Sequence, residues 1–376
     1  MGDVEEPPSM KPPGRRRRVP LAAVTLATAA ALGAGALVAT LIPSASATPA
    51  STAVARAAAD DAVQRGVYVG PADPAGVAAF NAATGTHATI ATDFLPESSG
   101  WSGMDGAGGS LSWLFPGHWS GSGYTLSLGV PMIPEQENAQ GQYPALGTLA
   151  QGATGAYNGY FVTLAQTLVA AGEANAYLRL GWEFDGGNYA WSATDPADEA
   201  SYATYFQQIV NAMRSVPGER FKFVWDPDAS AFNDGPYNVA LAYPGNAYVT
   251  DIGVDAYDQS WTTPLTPGNA WSETLLPDLN AAEQFAAAQG KPLAVPEWGV
   301  TIRTDGHGLG DDTLYVNNIT AWMMTPANNV AFESYFDYNA GGIDSAITNG
   351  SFPNSLQAFS FDLNPLRGLI LLPSVR

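Results

Sequence analysis

Two glutamates stand where a reactive carboxylate is expected. Glu183 ends the apolar run Tyr177-Leu178-Arg179-Leu180-Gly181-Trp182, and Glu297 ends Pro292-Leu293-Ala294-Val295-Pro296. A pair of carboxyl groups on opposite faces of a sugar ring can break a glycosidic bond. One protonates the departing oxygen, and the other, at about 5 to 5.5 Å, attacks the carbon directly with retention of configuration. Carboxylates alone are a weak signal, because among 35 acidic residues some end strands by chance or cap the following helix. Other chemistries have less support. His87, His118 and His307 are scattered without metal-ligand spacing, so neither a metal nor another cofactor is expected. No serine-nucleophile elbow, phosphate loop or dinucleotide fingerprint is present. The absence of cysteine excludes disulfides and thiol nucleophiles. The acidic loop 304–312 has a composition that suits calcium but lacks the distal glutamate of an EF-hand, and it is expected to be a surface loop over the cleft.

The pair works only if the chain brings both carboxylates to one cleft. Short apolar segments alternate with helical patterns, as in βα units around a parallel sheet. Eight strands are predicted, over residues 67–69, 88–94, 124–130, 177–182, 222–225, 252–257, 292–296 and 332–336. Several are nearly continuous apolar runs, as strands buried on both faces should be. Helices are predicted over 158–171, ended by Gly172; over 197–216, after Asp195-Pro196; over 272–288, ended by Gly290; and over 312–324. In the first third helical patterns are weak, and stretches such as 106–110 read as long loops. The expected fold class is α/β, a single-domain (β/α)8 TIM barrel. Glu183 then closes strand four and Glu297 strand seven, at the carboxyl end where such barrels carry their sites.

The chain's organisation and charge narrow its partners. Arg15 to Arg18 precede an apolar run over 19–42, and Ala45-Ser46-Ala47 supplies a small-x-small site, so residues 1–47 read as a signal peptide of a secreted protein. Arg17-Arg18 permits a twin-arginine route. An uncleaved anchor is the alternative, since about 20 apolar residues cross a bilayer. Residues 48–59 read as a short linker and 60–376 as the catalytic domain. Net charge is −20 for the whole chain and −22 beyond residue 47. A polyanion such as nucleic acid would be repelled, and no basic stripe exists to bind it. The charge is read as solubility outside the cell, for a monomer without membrane contact once the signal is removed. The 10 Trp and 16 Tyr, many beside Gly, Asp or Asn, suit the faces of a polysaccharide.

Arg179-Leu180-Gly181-Trp182-Glu183-Phe184-Asp185-Gly186, followed by Tyr189 and Trp191, resembles the acid/base segment of glycoside hydrolase family 26, mainly β-mannanases. Lys291-Pro292 through Glu297-Trp298-Gly299 resembles its nucleophile segment. Phe223 to Asp228 and Asp251 to Tyr257 resemble its strands five and six. The resemblance implies a retaining hydrolase of β-linked, mannan-like polysaccharide, endo-acting, with Glu183 as acid/base and Glu297 as nucleophile. It also implies that Tyr257 hydrogen-bonds the nucleophile, while Arg179 lies beneath the site paired with carboxylates, as a buried guanidinium must be. Glu183 is expected to be kept protonated by an apolar wall including Trp182, and Glu297 to be held as the carboxylate by Tyr257 and Arg179.

Two departures leave the sugar open. Trp182 stands where the family usually has histidine, and Asp185 where asparagine is expected. A β-glucan, β-xylan or cell-wall glycan is the alternative substrate. A carbohydrate-binding relative without catalysis is the alternative class, although a matched acid and nucleophile argue against it. Trp191, Trp225, Trp261 and Trp298 follow strand ends as subsite platforms or core. One of Trp101, Trp113 and Trp119, in Gly/Ser-rich loops, is expected to touch substrate. Asp93, Asp226, Asp255 and Asp337 are read as binding hydroxyls or capping helices.

Overall fold

The computed structural model describes residues 63–233 and 239–363. The expected signal peptide and linker lie outside the described residues. No helix among the described residues is long and apolar enough to cross a membrane.

Eight parallel strands close on themselves: β1 (Gln64–Tyr68), β2 (Ile90–Phe94), β3 (Thr125–Val130), β4 (Tyr177–Leu180), β5 (Lys222–Trp225), β6 (Asp251–Gly253), β7 (Leu293–Gly299) and β8 (Val330–Phe336). Neighbours pair in chain order, and β8 pairs with both β7 and β1 to complete the barrel. The expected (β/α)8 architecture is therefore present. The alternation of side chains builds it. Ile90, Tyr177, Val224, Ala294 and Phe332, from β2, β4, β5, β7 and β8, form a closed apolar cluster separate from the main core. The main core lies between the strands and the helices and includes Leu178, Phe223, Ile252 and Val295.

The helices stop where their termini dictate. In α1 (Asn158–Ala171), Phe161, Leu164, Ala165 and Leu168 are buried, and Gly172 at φ 93° sends its N–H back to Leu168 and Val169. Only a residue without a Cβ adopts that conformation at no steric cost. Asp195 accepts hydrogen bonds from the Ala197 and Asp198 N–H groups to start α2 (Pro196–Arg214). Predicted 272–288 is two pieces, a wide π-type turn Ala270–Leu275 and then α3 (Leu276–Gln289). Pro277 has no N–H to continue a regular ladder backwards through that junction. Asp312 caps α4 (Thr313–Met323) through the Leu314 and Tyr315 N–H groups.

Most strand bounds shift by one to three residues from the prediction, and the seventh strand runs through Glu297 to Gly299 instead of ending at residue 296; two further ends at the site carry a turn or a break. Strand four was expected to run to residue 182 but stops at Leu180, and Gly181 (φ 58°) and Glu183 (φ 47°) turn the chain in the left-handed region. A Cβ on Gly181 would lie 2.6 Å from Met132 Sδ, so the turn needs glycine there twice over. The sixth strand breaks after Gly253 and resumes only as Ala256–Tyr257. Between them Asp255 gives its backbone to the loop after β5, with its N–H on Pro227 O at 3.2 Å and its carbonyl accepting from Ala229 N at 3.0 Å.

Candidate active site

Glu297 is buried, 2 % exposed, within a regular strand. Simple alternation from inward-facing Ala294 would turn it outward. The pairing of β7 with β8 shows why it is not: Glu333 pairs with Val295 and Tyr335 with Trp298, so three steps on β7 span two on β8. The extra residue at Pro296-Glu297 is a bulge that re-aims the carboxylate into the barrel and sends Trp298 out to the helices.

Inside, Glu297 is fully engaged. Its Oε1 accepts from Arg179 Nη2 at 2.6 Å and its Oε2 from the Tyr257 hydroxyl at 2.6 Å. Arg179 is wholly buried on β4. Its Nη2 also donates to Asp255 Oδ2 at 2.7 Å, its Nε donates to Asp226 Oδ2, and its guanidinium carbon lies 5.6 Å from the centre of the Phe94 ring. Breaking such a buried cluster by removing the cation costs about 3–5 kcal/mol, because uncompensated charge remains.

Glu183 is held differently. It is partly exposed and sits in a backbone conformation that costs a non-glycine residue roughly 1–2 kcal/mol. Neighbouring bonds over-determine it: its N–H binds Asp226 O at 2.8 Å, Trp191 Nε1 binds Trp182 O at 2.9 Å, and Ala193 N binds Phe184 O at 2.7 Å. Strain sustained in this way clusters at functional sites. Its Oε2 accepts a 3.3 Å bond from the Tyr189 hydroxyl, which in turn accepts from Trp182 Nε1 at 3.1 Å. Burial, then the negative charge of Glu297, pushes the Glu183 carboxyl up to about 8 in spite of Arg179. One oxygen each of Glu183, Asp255 and Glu297 lies within 4.8 Å of the others. Three carboxylates at that spacing can also ligate a metal ion, but Arg179 already supplies positive charge to two of them.

The remaining expected residues divide between wall and core. Trp182 is buried against Phe94, Tyr189 and Trp191, with ring centres 5.2, 5.1 and 4.7 Å away. Asp185 is buried and accepts the Asp228 N–H at 3.0 Å, clasping the turns after β4 and β5. Trp191, Trp225 and Trp298 do not offer platforms: all three are buried, and their indole N–H groups bind Trp182 O, Ala242 O and Glu333 Oε2. Trp261 does offer one. It is 44 % exposed and stacks on His307 at 4.8 Å, and the two loops that carry these rings are tied by Ser260 N to His307 O at 3.0 Å and Arg303 Nη1 to Gln259 Oε1 at 2.6 Å.

Among the early tryptophans, Trp119 is buried and donates to Asp93 at 2.6 Å, Trp101 stacks on Tyr160 at 4.4 Å, and Trp113 is exposed. The aspartates expected to bind hydroxyls or cap helices are engaged within the protein, and Asp337 binds both the hydroxyl and the N–H of Thr348, in the short helix Ile347–Asn349. Asp226 and Asp255 hold Arg179, Asp93 holds Ala72 N and Trp119, and Asp337 holds Thr348. The carboxylates of loop 304–312 likewise have protein partners: Asp305 on Arg303, Asp311 on Asn354 and Ser355, and Asp312 on α4. Sequence reasoning quoted Tyr189 in the acid/base segment without a role and read Asp226 as binding hydroxyls or capping a helix, not as a partner of Arg179. The signal that could have found Asp226 is the unmet demand of Arg179 for more than one carboxylate.

A family model described as glycosyl hydrolase family 26 matches residues 151–290, which include Glu183 and stop before Glu297. A mannan endo-1,4-beta-mannosidase from Bifidobacterium adolescentis is 26 % identical over 156 residues, covering 38 % of this chain and 15 % of that relative's length. Among solved structures, GH26C from Muricauda sp. MAR_2010_75 aligns with a TM-score of 0.57 at 14 % identity, over 87 % of this chain and 93 % of that one. A Cellulomonas fimi endo-beta-1,4-mannanase double mutant aligns at 0.57 and 18 % identity, over 82 % of this chain and 75 % of that one. These structures share the fold, and the family resemblance read from the motifs is matched by the family model over its central segment.

Proposed function

Taking the family 26 match as premise, we propose that the chain is a secreted, retaining glycoside hydrolase that cleaves β-linked polysaccharide, with a mannan-like chain the first candidate. The observation that carries this reading is the pairing of unlike carboxyl groups across one cleft. Glu297 is bound by a guanidinium and a phenol, whereas Glu183 at about 8 keeps its proton at neutral pH. Their closest oxygens, within 4.8 Å, fall short of the roughly 6.5–9.5 Å that leaves room for an attacking water in an inverting enzyme.

In the first step Glu297 attacks the anomeric carbon while Glu183 gives its proton to the departing oxygen, leaving a covalent glycosyl-enzyme. In the second, Glu183 takes a proton from water, which attacks the same carbon and releases Glu297. Tyr257 and Arg179 hold the attacking oxygen pair in place, and Tyr189 aims Glu183. Trp261, at a loop that follows the sixth strand, is read as a platform for sugars away from the scissile bond.

Trp182 favours a second substrate reading, another β-glycan. Its one donor is spent on Tyr189, so the sugar beside the scissile bond meets neither an imidazole nor a free indole N–H. Export through residues 1–47 and a monomeric state belong to the same proposal.

The test is incubation of the purified protein with mannans, glucomannan, xylans, β-glucans and wall glycans beside Glu297→Ala, with products followed by mass and by anomeric NMR. Cleavage by wild type alone, with the β-anomer formed first, is expected. Inversion would overturn the mechanism, and turnover by Glu297→Ala the assignment.

A further inference from the structure

Beneath Glu297 one cation faces three carboxyl groups. Arg179 donates to Asp226, Asp255 and Glu297, and neither Asp226 nor Asp255 is measurably exposed beyond 2 %. Each aspartate spends only its Oδ2 on the guanidinium. Their Oδ1 atoms are buried and receive no hydrogen bond from a donor among the described residues. The two carboxyl groups nonetheless meet on one guanidinium, Asp226 on its Nε and Asp255 on its Nη2. Gly253 leaves room for the Asp226 carboxyl, since a Cβ there would lie 2.1 Å from its Oδ1.

Two carboxylates in contact repel. At about 4 Å and an effective dielectric constant of about 20, the repulsion favours the half-protonated pair by roughly a thousandfold. The other groups facing the pair do not relieve it. Glu183 follows β4, Asp185 and Asp228 lie above, and Glu297 stands on β7, all acidic; Arg179 is the cation within the cluster. Burial lifts the Asp226 carboxyl to about 6 and that of Asp255 above the usual range, Arg179 notwithstanding.

We propose that Asp226 and Asp255 share a single proton and act together as one negative charge on Arg179. Asp226 is then a positioning residue. As one anion the pair leaves Arg179 Nη2 to bridge Asp255 and Glu297; as two it would compete with Glu297 for the guanidinium and further crowd Glu183 with negative charge. The arrangement is specific to a chain with aspartate at both 226 and 255.

Asp226→Asn tests this, because an asparagine amide can accept from Arg179 Nε and donate to the Asp255 carboxylate in place of the shared proton. The infrared difference spectrum of wild type minus Asp226→Asn at neutral pH should contain the carbonyl band of one neutral, buried carboxylic acid. Loss of ionised carboxylate bands alone would overturn the proposal. Asp255→Asn should yield the same band, and decides the matter if Asp226→Asn does not fold. The second readout rests on the glycosidase reading: the alkaline limb of the rate profile, set by Glu183, should stay in place in Asp226→Asn. A shift of that limb to lower pH by a unit or more would show that a full charge had been removed, against the proposal. Because the infrared band needs no turnover, its outcome stands apart from the fate of the proposed activity.

Discussion

The two glutamates are the same residue type in opposite settings. Glu297 lies in a regular strand, aimed by a bulge and bound by a cation and a phenol at 2.6 Å each. Glu183 lies in a strained turn, walled by Trp182 and Tyr189, with acidic neighbours and, among the described residues, a single 3.3 Å hydrogen bond to its side chain. The contrast teaches that role is assigned by surroundings: donors stabilise the charge that must attack, and dry, acidic surroundings keep the proton that must be given away.

The strongest test of that contrast removes each carboxylate in turn. Glu297→Ala and Glu183→Ala should each lose activity on a natural glycan by on the order of ten-thousandfold or more. With an activated aryl glycoside and azide, Glu183→Ala should give the β-glycosyl azide and Glu297→Ala the α-anomer. The same anomer from both would erase the distinction between them. Next in size is Tyr257→Phe, which removes a hydrogen bond to a charged group, about 1.5–3 kcal/mol, or roughly ten- to a hundredfold in kcat. An equal loss in Tyr189→Phe would mean that the two sides are held alike.

The pH dependence sharpens the comparison further. As Glu183 loses its proton, kcat/KM should fall above pH about 8, tenfold per unit, and Glu183→Ala should lack that limb in reactions that need no acid. Stability should follow buried carboxyl groups elsewhere. Burial raises Glu333 to about 7 and Asp93 to about 6, so the fold keeps protons that the unfolded chain has released. Their contribution is full below pH about 4 and declines as pH rises towards 7, so thermal melts should show Tm falling across that window, less steeply in Glu333→Gln. The smallest effect expected is at the rim. Trp261→Ala should raise KM for long substrates severalfold, about 0.5–1.5 kcal/mol, and leave kcat and KM for short ones nearly unchanged.

Much of the fold was legible because local patterns carried it. The eight apolar segments fell on the eight strands within a few residues, and helix 158–171 was read without error, since a glycine ends it and its apolar spacing has one period. The tryptophans were least legible. Position after a strand end suited Trp225 and Trp261 equally, yet one is wholly buried beside Phe285 and the other is 44 % exposed. Burial of a ring depends on which helix covers it, and chain spacing does not carry that information.

The sequence by itself determined the alternation of strands and helices, the two glutamates near the carboxyl ends of strands four and seven, and a buried arginine that had to find carboxylates. Tertiary structure decided which carboxylates these were, and which way each glutamate points. Glu297 faces inward only because β7 slips by one residue against β8, a register set by pairing between strands. Glu183 reaches the cleft only because neighbouring turns hold it in a backbone conformation that no local preference would choose. Both are long-range effects, and periodicity along the chain reports only on short-range ones.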